Sequence, residues 1–225
     1  NCVPEIHAGL NWTPDADRYY PEYLTDLNIL ICPSNAAGTT ALEHWDQGNT
    51  PSGLFESVPG FTDSGRVEPC EILVEPYYYY GYAFGKDMFR SAAENTTLET
   101  ALDDLFHDIV DNMQPALADV DLDLAAPINA HYQIYRLREG IELFLVTDIN
   151  NAAATAKGQS EIVVMHDAIS EEPSHFNHVP GGVNVLYLDG HVDYVRYTGN
   201  PEPPAEFPIN EAAFMLHELS EGDEH

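Results

Sequence analysis

Phe176-Asn177-His178-Val179-Pro180-Gly181-Gly182-Val183-Asn184-Val185-Leu186-Tyr187-Leu188-Asp189-Gly190-His191-Val192-Asp193-Tyr194-Val195-Arg196-Tyr197 decides how this chain is read. Two alternating runs rich in Val and Tyr flank Asp189-Gly190. An Asp-Gly link between such runs predicts a β-hairpin closed by a type I′ turn, which holds both central residues at positive φ. That turn sets Leu188 opposite His191, Tyr187 opposite Val192 and Val185 opposite Tyr194. Strand alternation then gathers Val183, Val185, Tyr187, Val192 and Tyr194 on one apolar face. The other face, with Asn184, Leu186, Leu188, His191, Asp193 and Val195, is mixed, so one face is expected to be buried. Pro180-Gly181-Gly182 marks the corner where the chain enters the hairpin.

Working back from the hairpin, Glu161-Ile-Val-Val-Met165 and Ile141-Glu-Leu-Phe-Leu-Val-Thr147 read as strands, running into His166-Asp167 and Asp148 respectively. The aromatic run Ile72 to Phe84 contains Tyr77, Tyr78, Tyr79, Tyr80 and Tyr82. Pro76 places it at a sheet edge or a strand start. Alternation separates Tyr77, Tyr79 and Gly81 from Tyr78, Tyr80 and Tyr82, and a packed sheet explains this stripe more economically than a sugar- or base-stacking platform. Asp119-Val-Asp-Leu-Asp123 lacks the Gly and Glu of an EF-hand loop and reads as a partly exposed strand. Thr96 and Glu99 form a capping-box pattern, and Leu98, Leu102, Leu105, Phe106, Ile109, Val110 and Met113 recur at helical spacing behind it, predicting an amphipathic helix laid on the sheet. Leu27 to Cys32 is a short strand or a helix-to-loop junction. Asn210 caps a short helix through Leu219, after a Pro-rich stretch. The expected fold is α+β, an antiparallel sheet packed against an amphipathic helix. Residues 1–225 form a single domain, with a long loop excursion at 33–69 and a tail with a short helix at 198–225.

The composition narrows the function classes. The 225 residues carry 38 Asp plus Glu against 8 Lys plus Arg, a formal net charge of -30, with 44% hydrophobic content. Clustered cations for nucleic acid or for anionic membrane surfaces are missing. Such acidity suits a secreted or surface-exposed protein in salty water and divalent cations held by carboxylates, though a plain solvated acidic surface accounts for it equally. No apolar run reaches the roughly 20 residues needed to span a bilayer. The chain opens on Asn1-Cys2-Val3-Pro4 without a signal peptide, which suggests that a leader or anchor was removed or never included. Cys32 and Cys70 bracket the Gly/Pro/Ser-rich excursion, and a disulfide between them would staple it and place the chain in an oxidising compartment. Cys2 is then the odd one, free or paired outside this chain, and three ordinary buried thiols are the alternative. No Cys-x-x-Cys or close Cys/His spacing marks a zinc site.

Several segments together resemble the bacterial pseudopilin-like proteins, the group with a prepilin-type N-terminal helix and a C-terminal motif of His, nine residues, then Asp-Gly. They are Tyr20-Pro-Glu-Tyr-Leu-Thr-Asp26, Cys32-Pro-Ser34, Pro69-Cys70, the tyrosine strand, Phe144-Leu-Val-Thr-Asp-Ile-Asn-Asn151, Gln159-Ser-Glu-Ile162, Met165-His-Asp167 and the stretch from Phe176 to Val192. Here ten residues separate His178 from Asp189, one more than that pattern, and the hydrophobic N-terminal helix is missing from these residues. The resemblance implies the globular head of a type IV pilin or pseudopilin. Such a head is displayed outside the cytoplasm, on the cell surface or on the periplasmic side of the membrane. It implies a non-enzymatic structural subunit assembling with like subunits into a filament or secretion pseudopilus, without membrane contact from these residues.

Ten histidines invite a search for chemistry. No Gly-x-Ser-x-Gly, His-Glu-x-x-His or phosphate loop is present, and no nucleophile–base pair is visible, so no enzyme is expected. Strand ends gather side chains, so Asp148, Asp167, His178 and Asp189 are candidate ligands of a divalent metal, with calcium preferred because carboxylates abound. The bland reading of the same residues is polar side chains satisfying backbone groups at turns, with Asp189 and Gly190 explained by turn geometry. A calcium- or carbohydrate-binding surface module is therefore the alternative to a filament subunit.

Overall fold

The computed structural model describes residues 12–34, 40–46, 65–72, 76–112, 120–124, 132–141, 158–169, 176–178, 181–202 and 205–221. An antiparallel sheet of five strands organises them. Its central strand β5 (Ile162–Asp167) pairs with β6 (Val183–Tyr187), and β6 with β7 (Val192–Val195). On the other side of β5 lie two short strands from the tyrosine run, β1 (Tyr77–Tyr78) and β2 (Phe84–Gly85). Between them the chain leaves β5 and bonds to the residues that follow a separate two-stranded sheet, β3 (Leu122–Leu124) and β4 (Tyr132–Ile134). Ala83 N–H donates to the Tyr135 carbonyl and Leu137 N–H to the Gly81 carbonyl. Gly81, at φ +72°, makes this detour possible. A Cβ there would lie 2.1 Å from Arg136 Nη1, whose guanidinium crosses to the Tyr80 carbonyl and sits 4.9 Å from the centre of the Tyr82 ring.

The Tyr alternation expected from the sequence is present. Tyr78, Tyr80 and Tyr82 are buried, whereas Tyr77 and Tyr79 are half-buried. The buried rings join Trp12, Phe84, Phe89 and Phe207 in the main core, with edge-on or tilted contacts such as Trp12–Tyr80 at 5.2 Å and Phe84–Phe207 at 5.3 Å. Such geometry sets ring edges against ring faces and adds to the apolar burial.

The hairpin forms, but one residue out of the expected register. Val183 pairs with Val195, Asn184 with Tyr194, Val185 with Asp193 and Leu186 with Val192. Tyr187 N–H bonds to the His191 carbonyl, and Gly190 N–H to the Tyr187 carbonyl. The loop is therefore the three residues Leu188-Asp189-Gly190, with only Gly190 at positive φ (+87°), the pattern of a type I turn followed by a glycine bulge. A one-residue slip moves a whole strand to the opposite face. Val183, Val185 and Tyr187 remain buried, while Val192 and Tyr194 turn to the outer face, 61% and 50% exposed.

The amphipathic helix α2 (Ala92–Asn112) starts four residues before the expected Thr96. Ser91 caps it: Glu94 N–H donates to the Ser91 hydroxyl at 3.3 Å, and Glu94 reaches back to Arg90 N–H at 2.8 Å. Ser91 and Glu94 repeat the S/T-x-x-E spacing of Thr96 and Glu99, and the earlier pair wins. The Thr96 hydroxyl instead donates to the Ala92 carbonyl within the helix. Leu98 and Leu102 enter the main core, and the helix touches β3 and the C-terminal helix α3 (Glu211–Glu221). Asn210 accepts from Ala213 N–H and starts α3 as expected. Far from being a loose tail, this segment buries Phe207, Ile209, Ala212, Ala213, Phe214 and Leu216, and the Leu216 carbonyl accepts from the Trp12 indole at 2.6 Å.

A second, smaller core lies in the N-terminal part. Ala16, Leu27, Ile31, Ala41, Trp45, Val67 and Ile72 form it. Leu27–Leu30 is a 3-10 turn running into the loop, the junction rather than the strand of the two expected forms, and α1 (Ala41–Trp45) carries its own Thr40–Glu43 capping box. The excursion at 33–69 is therefore anchored, among the described residues, by apolar packing. The expected disulfide is absent: the Cys32 thiol is free and buried. Its sulfur is turned toward His178. The strand expected over Ile141–Thr147 lies, beyond Ile141, outside the described residues.

Candidate metal centre

The end of β5 sets two polar clusters back to back. A β-bulge between Val163 and Met165 shifts the pairing with β6, from Val163–Tyr187 to Met165–Leu186 and His166–Val185. The extra residue re-aims the strand, so Val163 and His166 both point into the main core. Asp167, next along, therefore emerges on the opposite face.

On the core side, His166 is 1% exposed. Its Nδ1 lies 2.7 Å from the Asp167 carbonyl, which can only accept, so Nδ1 carries the proton. Nε2 then accepts from the Tyr80 hydroxyl at 2.9 Å. The ring stacks on Tyr78, whose hydroxyl meets His217 Nδ1 at 3.0 Å. Burial pulls the His166 pKa down to about 4, and His217 adds to that against the upward pull of the Asp167 carbonyl. His166 is thus a neutral, fully bonded core residue.

On the other face Asp167 is 2% exposed. Asn184, its neighbour across the β5–β6 ladder, donates to Asp167 Oδ2 from its backbone N–H at 2.7 Å and from its side-chain amide at 2.9 Å. His178 Nε2 lies 3.1 Å from that same oxygen. Cys32 Sγ approaches His178 Nε2 to 3.7 Å. One ligand atom each from Cys32, Asp167 and His178 falls within 4.8 Å of the other two. Tyr77, opposite Asp167 on β1, closes the group. Its pKa is pushed up to about 12 by burial first, then by the negative charges of Cys32 and Asp167 and a hydrogen bond to the Cys32 sulfur. A catalytic triad needs the carboxylate on one ring nitrogen of the histidine and the nucleophile on the other. Here thiol and carboxylate share Nε2, so this arrangement does not activate Cys32 by that route.

Of the four candidate ligands named from the sequence, Asp167 and His178 meet. Asp189 does not join them. It caps its own turn, accepting from His191 N–H at 3.1 Å and pairing with the His191 ring, and these bonds hold its carboxyl below the usual range. Asp148 lies outside the described residues. Cys32 and Asn184 were missed as members. Cys32 is 146 residues from His178 in sequence, so no spacing rule joins them. Asn184 carried a usable signal, since it is the one polar residue inside the apolar run from Val183 to Tyr187. The donor set differs from the carboxylate-rich one for which calcium was preferred. Calcium takes six to eight oxygens, whereas one thiol, one imidazole and one carboxylate suit a softer ion such as zinc.

No family model matches the chain, and neither a curated protein nor a solved structure does.

Proposed function

We propose that this chain is a non-enzymatic structural subunit, the pilin-like head of an extracellular or periplasmic filament or pseudopilus. The observation that carries the reading is the outer face of β7. Among the described residues this strand is hydrogen-bonded only to β6, and it presents Val192 and Tyr194 to solvent. An unpaired edge strand with exposed apolar side chains is a ready surface for association, and natural proteins cover or blunt such edges unless they use them. The resemblance of the segment from His178 to Gly190 to the pseudopilin-like C-terminal motif supports the same reading, because that segment supplies β6 and the loop that leads into the edge strand β7. The excess of carboxylates fits display outside the cytoplasm, where salt screens repulsion between neighbouring subunits.

Immunogold electron microscopy of the producing cells, with antibodies raised against this chain, tests the proposal. Gold along surface filaments, or at discrete envelope assemblies, is the expected result. Label confined to the cytoplasm contradicts it.

A further inference from the structure

We infer that Cys32, Asp167 and His178 form a zinc site that ties the N-terminal layer of the molecule to the end of β5. Three observations converge on it. The first is distance. Zinc–sulfur and zinc–nitrogen bonds of about 2.3 and 2.0 Å at a tetrahedral angle put the two donor atoms about 3.5 Å apart. The observed separations are 3.7 Å from Cys32 Sγ to His178 Nε2 and 3.1 Å from His178 Nε2 to Asp167 Oδ2.

The second is polar crowding. An imidazole nitrogen offers a single proton or a single lone pair. His178 Nε2 nevertheless faces a thiol, a carboxylate oxygen and the Asn184 amide nitrogen, the last at 3.1 Å. One hydrogen bond cannot serve all three, whereas a cation among the donors engages sulfur, nitrogen and oxygen together. A thiolate and a carboxylate, both almost wholly buried, also neutralise a divalent ion, which offsets the cost of burying either charge alone.

The third is support. Asn184 aims the Asp167 carboxylate through two donated hydrogen bonds. These are the outer-shell contacts by which proteins orient metal ligands. His178, 29% exposed, gives the ion a way in. Cys32 directly follows Ile31 of the small N-terminal core, while Asp167 ends the central strand. A bound ion therefore cross-links two regions far apart in sequence.

The test uses the whole 225-residue chain, reduced and stripped with chelator. Zinc is expected to bind at one equivalent in competition with a chromophoric chelator and to raise the Tm, while calcium at the same concentration leaves the Tm unchanged. Cobalt(II) in place of zinc is expected to give a thiolate-to-metal charge-transfer band. Cys32→Ser abolishes that band. Cys32→Ser and His178→Ala each weaken zinc binding by more than the roughly 10–100-fold expected for the outer-shell change Asn184→Ala. Circular dichroism matching the parent keeps these losses from being read as unfolding. Absence of stoichiometric zinc uptake by the parent chain overturns the inference. So does a cobalt band that persists in Cys32→Ser, which would assign the metal to another thiol.

Discussion

His166 and Asp167 are neighbours on one strand, yet they live in opposite settings. His166 is sealed among Tyr78, Tyr80, His217 and Phe207, with both ring nitrogens bonded inside the protein. Asp167 belongs to a half-open cluster, where a thiol, its own carboxylate oxygen and the Asn184 amide nitrogen crowd around one histidine nitrogen. The difference arises from the bulge between Val163 and Met165, which fixes the face each residue takes. Burial alone does not distinguish the two, since both are at most 2% exposed. What distinguishes them is whether the surrounding donors and acceptors are already matched. On the sealed side they are, and the polar groups there specify a core. On the other side a thiol, a carboxylate oxygen and an amide nitrogen converge on one imidazole nitrogen, and it is there that we place the proposed zinc.

The sealed side should break hardest. Phe84, fully buried against Tyr80, Phe89 and Phe207, should cost about 3–5 kcal/mol when changed to Ala, measured by urea unfolding. A loss below about 1 kcal/mol would show that this face is loosely packed.

Acid probes the same face through His166. Its pKa falls from 6.5 in the unfolded chain to about 4 in the fold, so between those values the unfolded state binds the extra proton. The stability linked to His166 is therefore complete above pH 6.5 and declines as pH falls toward 4, by roughly 3 kcal/mol in all. Glu71 works in the opposite sense. Burial first, then the nearby Glu68 and Asp46, push it up to about 7 against the Glu68 N–H that lowers it. Its contribution is present below pH 4.5 and is lost as pH rises through 7. Between pH 4.5 and 6.5 the two oppose each other. His166→Gln should leave the Glu71 slope, with stability falling as pH rises. Glu71→Gln should leave the His166 slope, with stability falling on acidification. Identical pH profiles for the two variants would refute the contrast.

The hairpin offers a smaller effect. Gly190→Val should cost about 1–2 kcal/mol, because a β-branched residue is strained at φ +87°. An unchanged Tm would place the turn elsewhere. Smallest of all, Tyr194→Ser should change stability by no more than about 0.5 kcal/mol, since half of Tyr194 is exposed. A loss of 2 kcal/mol or more would restore the register in which Tyr194 packs beside Val185.

Local signals in the sequence were the readable ones. The alternation of Tyr77 to Tyr82, the apolar spacing of Leu98 and Leu102 and the cap at Asn210 each depend on residues a few positions apart, and each reappears in the fold. Errors arose where one local pattern serves two structures. Asp189-Gly190 fits a two-residue turn and also a three-residue loop with Gly190 at its bulge, and the choice rests on how β6 and β7 pack. The S/T-x-x-E pattern occurs twice within nine residues, at Ser91 and at Thr96. Cys32 was misread because composition pointed to Cys70 across the excursion, whereas its contacts are set by tertiary packing against β1 and His178. The bulge that decides which of His166 and Asp167 faces the core leaves no mark in Ile-Val-Val-Met-His-Asp, since neither Gly nor Pro accompanies it.

Histidine-selective nitrogen NMR of the reduced chain, with and without one equivalent of zinc, tests the two-faced end of β5 most directly. The account predicts that the His178 Nε2 resonance moves on metal addition, while His166 keeps its Nδ1-protonated, neutral tautomer unchanged. A His178 signal indifferent to zinc, or a His166 signal that moves with it, would contradict the division of this strand into a sealed face and a metal-accepting one.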